Sequence, residues 1–410
     1  MSHNRAEIAA NPKADIAEIS IATVGGLAVA LIVIFVCVVQ IPAHGQGGRD
    51  FMIFWATGQE LVQHRNPYDP SSMERIEHAA GFPADFPAFY MRNPPWALPL
   101  VLPLGFTPML FGNFLWTLVL LSLQITSGWL IWRMFGRPPN RIHWLTMAFA
   151  PSLMCLFMGQ TALFALFGLV LFHWFHRTNP FLGGMALWLC ALKPHLFFPY
   201  ATVLLAWIIV SKSYKVLAGF AVAFAASCAF ITAIYPASWS DYAHMMRSPA
   251  VANDPVPCLA VSMRLWLAPE HVWFQFLPAA MACIWALIYY WRHRNMWDWM
   301  GNGSLLLIVS LVVAPYCWLY DLCIAVPALL QGAYSTRSRA LLAFLALINI
   351  PIFGGVIAGL KLTSAPYLWI APMWLAWYLV ALRLRKLTLR NESPSPDRVS
   401  SPTLSVQGSR

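Results

Sequence analysis

The run from Ile19 to Gln40, ISIATVGGLAVALIVIFVCVVQ, contains no charged side chain. Coiled as a helix, a stretch of that length crosses the roughly 30 Å hydrocarbon core of a bilayer. It is too long for a signal-peptide core and has no small-residue cleavage pattern before Gln40, so it reads as an uncleaved first spanning helix. Further apolar segments follow at 95–133, 143–157, 161–176, 180–193, 195–210, 215–235, 272–291, 302–315, 317–333, 340–358 and 366–384. The chain is 59% hydrophobic and 10% charged, against about 25% charge in soluble domains. The expected fold is therefore an all-α polytopic membrane protein of about 12 membrane segments.

Several segments are short and meet at prolines, which implies helices broken or strongly tilted within the protein. Non-helical backbone at membrane depth survives only where neighbouring protein or a wet cavity satisfies it. PPWALPLVLPLGFTP, at the start of 95–133, is too proline-rich for a plain helix and reads as a short or re-entrant element leading into a span from about 108.

The formal net charge is +10, but the basic residues lie between apolar runs rather than along one stripe, so they are topology signals and not a nucleic-acid footprint. Arg133, Arg137, Arg141, Arg177, Lys212, Lys215, Arg292, Arg294, Arg337, Arg339 and the tail residues Arg383, Arg385, Lys386 and Arg390 belong on the cytoplasmic side by that rule. Both termini are then cytoplasmic, and the polar loops 42–94 and 236–271 face the exterior. The expected organisation is a cytoplasmic tail over 1–18, a membrane domain over 19–384 and a polar, Ser/Pro-rich disordered tail over 385–410. The location expected is the inner, or plasma, membrane. Of the eight cysteines none forms a C-x-x-C pair, so neither a disulfide framework nor a zinc site is expected, and no metal or cofactor is called for. No internal repeat is visible.

In that topology the polar residues that interrupt apolar segments gather on the outer side. Asp50 follows the first span beside Arg49, and Arg92 and Asn93 precede Pro94-Pro95. Gly159-Gln160 lies in FMGQTALF, and Lys193 and His195 in CALKPHLFFPY. Arg264 lies in the second long loop, and Tyr316, Tyr320 and Asp321 in APYCWLYDLC. A charged group next to lipid is costly and is usually paired or functional.

Most of these residues carry two readings. Asp50 either caps a helix beginning near Phe51 or acts as a general base. Lys193 either snorkels or, with His195 beside the break at Pro194, forms a phosphate-binding corner. Asp321 is either half of a structural ion pair or part of a site. Asn66-Pro67-Tyr68-Asp69 is a turn signal, so Asp69 reads as structural. His173 and His176 fall near the opposite side and read as interfacial residues.

One acidic residue, several cations and a cavity between broken helices suit a lipid-phosphate donor and a polar acceptor. The carboxylate takes the proton of an acceptor hydroxyl while Lys and Arg stabilise charge growing on the departing phosphate. A secondary transporter with Lys193 and Asp321 as midplane ligands is the rival class, as is transfer of another polyprenyl-phosphate-linked group.

The ordered set GRDFMIFWATGQELVQHRNPYDP, FYMRNPPWALPLVLPLGFTP, FMGQTALF, ALKPHLFFPY and APYCWLYDLCIAVPAL resembles glycosyltransferase family 87, within the GT-C superfamily, over residues 19–384. The resemblance implies an inverting, metal-independent hexosyltransferase that moves a sugar, mannose in characterised members, from a polyprenyl phosphate to a glycan or glycolipid at the extracytoplasmic face. It implies Asp50 as catalytic base, with Gly159-Gln160, Lys193-Pro194-His195 and Pro315-Tyr316 through Tyr320-Asp321 around the donor. Arg49, Arg92 and Arg264 join them as expected donor contacts. Two departures stand out: Asn93 precedes Pro94-Pro95 where an aromatic is usual, and His195 stands where Gln or another polar residue is common. Its partners are accordingly expected to be membrane lipids, the donor and the acceptor, with no nucleic acid.

Overall fold

The computed structural model describes residues 49–81, 91–140, 142–248, 256–357 and 365–392. The expected first span at 19–41 lies outside the described residues, as does the tail beyond Glu392. Among the described residues the structure is helical throughout, with no strand.

The chain enters on α1 (Arg49–Val62), turns through Asn66 to Asp69 and forms α2 (Pro70–Ala79). Asp69 starts α2 because its carboxylate accepts the backbone N–H groups of Ser71 and Ser72, while Pro70 supplies a preset helical φ at the first position. The proline-rich stretch then forms three short turns, Pro95–Ala97, Leu98–Val101 and Leu102–Phe106, before α3 (Met109–Met134) begins after Pro108. This matches the expectation of a short element leading into a span from about 108. α1 lies across that stretch: Gly58 and Gly105 meet backbone to backbone, leaving no room for a side chain on either. Gln59 donates to the Gly105 carbonyl at 2.7 Å, and the Trp55 indole to the Thr107 carbonyl at 2.9 Å.

The centre is built from α4 (Ala150–Met158), α5 (Ala162–Phe175), α6 (Pro180–Ala186), α7 (Phe198–Val210) and α8 (Tyr214–Ile234). After these come α9 (Leu259–Leu267), α10 (Leu277–His293), α11 (Asn302–Val312), α12 (Val326–Ser335) and α13 (Ile370–Glu392). α13 runs past the expected segment end at 384, since no helix breaker occurs before Ser393-Pro394. Among the described residues, three stretches are long and apolar enough to cross a membrane as single helices: Met109–Met134, Tyr214–Ile234 and Val272–Met296. The other apolar segments among the described residues form shorter helices, several of them meeting at prolines.

α5 is buried on nearly every side, with Ala162, Leu163, Ala165, Leu166, Leu169, Val170 and Phe172 all in the core. By contrast, α8 and α10 are largely uncovered and carry exposed Val222, Phe230, Met281, Ile284 and Ile288. An apolar exterior on helices of this length is the surface a lipid environment requires.

Contacts between helix ends define two faces. The Arg133 guanidinium lies over the Trp174 ring, 5.4 Å from its centroid. Arg177 pairs with Asp298 at 3.1 Å. The C-terminal ends of α3 and α5 and the connection after α10 therefore share one end of the molecule. α5, with its 14 residues, separates that end from Gln160 by about 21 Å. At the other end the His64 imidazole is 3.2 Å from the Ile234 carbonyl, which joins the loop after α1 to the end of α8.

Candidate active site

Gly159 ends α4 in the left-handed region, at φ 76°. The first turn of α1 lies directly on it: a Cβ built at Gly159 falls 2.7 Å from Phe51 Cβ. Only glycine tolerates both the φ and the approach. The Gly159 carbonyl is held by the Trp116 indole at 2.6 Å. Gln160 is thereby carried against Asp50, the residue before Phe51.

Asp50 sits within the first turn of α1, which is already helical at Arg49, rather than ahead of the helix as its cap. That position still places its charge at the favourable end of the helix dipole. The side chain is 7% exposed, and Oδ2 accepts a hydrogen bond from Gln160 Nε2 at 2.7 Å. The Arg49 side chain lies outside the described residues.

From Gln160 the network continues inward. Lys193 Nζ donates to Gln160 Oε1 at 3.0 Å and to Asp321 Oδ1 at 2.6 Å. Asp321 is fully buried, and its Oδ2 accepts the backbone N–H of Trp318 at 3.0 Å. Two chain breaks make this possible. Pro194 opens the turn Pro194–Leu196 just after Leu187–Leu192 and leaves Lys193 outside both, at φ −137° and ψ 65°; Pro315 opens the stretch between α11 and the turn Leu319–Ala325. Each break exposes backbone that neighbours then satisfy. Trp96 Nε1 donates to the Ala191 carbonyl at 2.8 Å and Asn93 Nδ2 to that of Leu192 at 3.3 Å.

Those two bonds staple the segment 92–96 beside Lys193 and set Arg92 at the rim. The Arg92 guanidinium donates to the Tyr316 hydroxyl at 2.8 Å, and the Trp318 indole donates to the same oxygen at 2.7 Å. His195 meets the Tyr316 ring edge to face, with centroids 5.4 Å apart. Its Nε2 is buried without a hydrogen-bond partner among the described residues. Tyr320 stacks beneath Trp318 and lies 4.9 Å below Lys193 Nζ. Asp50, Gln160, Lys193 and Asp321 are thus linked in one chain, while Arg92, His195 and Tyr316 form a half-buried rim beside it. Arg264 is buried on α9, whose preceding residue Cys258 packs on Pro315.

Three contributors escape sequence reasoning. Trp318 clamps both Tyr316 and Asp321, but one tryptophan among 20 carries no local signal. Asn93 reads as one of the outer polar residues and as a departure before Pro94-Pro95, with no role assigned to it, yet its amide ties Arg92 into place. Tyr68, inside the turn motif, donates its hydroxyl to the Asn93 carbonyl at 3.0 Å and joins the first loop to the same segment. His173 is fully buried and bonded to the Tyr200 hydroxyl at 2.8 Å, a core position rather than an interfacial one.

This arrangement sets a carboxylate next to a cationic, aromatic rim. A proton can be taken at one end while anionic charge is stabilised at the other. Residues 90–315 match the family model described as Glycosyltransferase family 87. No curated protein and no solved structure matches the chain.

Proposed function

The chain belongs to glycosyltransferase family 87, and from that premise we propose that it moves a hexose, mannose first among them, from a polyprenyl phosphate to a lipid-linked or glycan acceptor. The work is done at the extracytoplasmic face of the cell membrane, in a GT-C-like chain of about 12 membrane segments with both termini inside. The observation that supports it best is the convergence of four sequence-distant motifs: Asp50, Gln160, Lys193 and Asp321 share one hydrogen-bonded chain, next to the rim of Arg92, His195 and Tyr316.

In this reading the acceptor hydroxyl oxygen attacks the anomeric carbon. Its proton passes to the Asp50 carboxylate. The bond from the anomeric carbon to the phosphate oxygen breaks, and its electron pair leaves with the lipid phosphate. A single displacement inverts the centre, so a β-linked donor yields an α-linked product. A phosphate needs no acid to depart when cations stabilise it, and Arg92 is the guanidinium at the rim suited to that task. The buried His195 Nε2 is a second contact point for a phosphate oxygen, because an imidazole nitrogen left without a partner is costly.

The test is purified protein in proteoliposomes with a panel of polyprenyl-phosphate sugars and mass spectrometry of the lipid products. The reading expects a hexose transferred from at least one polyprenyl phosphate and none from soluble nucleotide sugars. Transfer from a nucleotide sugar alone would overturn it.

A further inference from the structure

We propose that Gln160, Lys193 and Asp321 form a positioning relay for Asp50, so that Lys193 serves the base rather than contacting the lipid phosphate. The inference rests on the reading of Asp50 as the base. A primary amide has a donating and an accepting end, and Gln160 has one of each neighbour. Asp50 as a carboxylate only accepts, and the Lys193 ammonium only donates. One orientation satisfies both, with Oε1 toward Nζ at 3.0 Å and Nε2 toward Oδ2 at 2.7 Å. The flipped amide would set two donors and two acceptors face to face. The ammonium therefore decides which end of Gln160 meets Asp50.

Two of the three Lys193 N–H bonds are committed to Gln160 and Asp321, and the ammonium lies over the Tyr320 ring, 4.9 Å from its centroid. Its Nζ is held at 2.6 Å by Asp321, whose other oxygen is taken by the Trp318 backbone N–H. The side chains of this pair are 10% and 0% exposed. Breaking one half of a buried pair is expensive, so recruiting Lys193 to a phosphate would strand Asp321. An amide donating to Oδ2 also fixes the plane of the Asp50 carboxylate relative to an incoming hydroxyl.

The relay predicts how kinetic losses divide. In proteoliposomes, with the hexose donor turned over in the panel described above, Gln160→Ala is compared with a variant joining Lys193→Met and Asp321→Asn. That second variant removes both buried charges together and leaves none unpaired. Each should lower kcat by ~10-fold or more while donor KM stays within ~2-fold, because a positioning group acts on the chemical step. Combining the two should cost no more than ~2-fold beyond the worse one, since groups acting through one another are non-additive. Gln160→Glu keeps the shape of Gln160 but sets a second acid against Asp50; it should also lose kcat, with an unfolding midpoint close to wild type. A rise of ~10-fold in donor KM with kcat preserved in the Lys193→Met and Asp321→Asn variant, or fully additive losses, overturns the relay. Asp50→Asn run in parallel separates the two claims: if it is inactive while the relay variants act on KM, only the relay fails; if it turns over normally, the reading of Asp50 fails first.

Discussion

Gly159 shows how much of the site depends on a residue with no side chain. It adopts φ 76° at the end of α4 and lies under Phe51. Gly159→Ala therefore meets two penalties, a left-handed backbone worth about 1–2 kcal/mol and a methyl driven into the first turn of α1. The expected result is a lowered unfolding midpoint in detergent together with reduced transfer, because α1 cannot move without carrying Asp50 off Gln160. An unchanged midpoint would show that the turn relaxes freely. At this scale much of the site was legible. Asp50, Gln160, Lys193, His195 and Asp321 stand out because each is a polar residue against apolar neighbours. Trp318 and Asn93 do not: one is an aromatic in a chain full of aromatics, the other sits in a turn. Both act through a backbone group or a partner brought from far along the chain, which no local pattern encodes.

At the scale of elements, the caps and breaks carry the construction. Asp69 opens α2: burial pushes its carboxyl up, but hydrogen bonds from Ser71 and Ser72 outweigh that and hold it below the ordinary carboxylate range. A folded-state pKa below the unfolded one means that the cap stabilises above the unfolded pKa and fades as pH falls through the folded value. Asp69→Ala should cost about 1 kcal/mol at neutral pH, and the gap from wild type should narrow in acid; thermal unfolding across pH measures it, and a gap that widens in acid would contradict the assignment. A cap supplied from another helix occurs at α4, where Asn349 Oδ1 accepts the Ala150 N–H at 2.8 Å. Asn349→Ala strands a buried donor, worth about 1–3 kcal/mol, and the loss should appear in unfolding measurements rather than in donor KM. The turn at Asn-Pro-Tyr-Asp and a structural Asp69 were readable from the sequence; that Asp69 caps α2 was seen only in the structure. The Asn349 cap was not readable, because its partner is 199 residues away. Apolar runs located the central helices, and the prolines at 194 and 315 announced their breaks. What run length could not supply was which broken ends meet, since that is set by packing of α1, α4, α5 and the segment 92–96.

For the whole molecule, the decisive property is that its two ends differ. One carries Arg133 and Arg177, the latter paired with Asp298; the other carries the candidate site and the loop after α1. Arginine-rich ends belong inside, so the account places Gln63 outside and Arg177 inside. In intact cells a membrane-impermeant maleimide should label Gln63→Cys, and should reach Arg177→Cys only after permeabilisation. The reverse pattern would turn the protein over and put the site in the cytoplasm. The central claim is narrower: one carboxylate, placed by Gly159 and Gln160, removes the acceptor proton during transfer from a lipid phosphate. Its most direct test is turnover by Asp50→Asn in proteoliposomes, measured beside donor binding by the same preparation. The account predicts binding close to wild type and a fall in turnover of roughly 10²–10⁴-fold, the range of a lost general base; turnover within about 2-fold of wild type would contradict it.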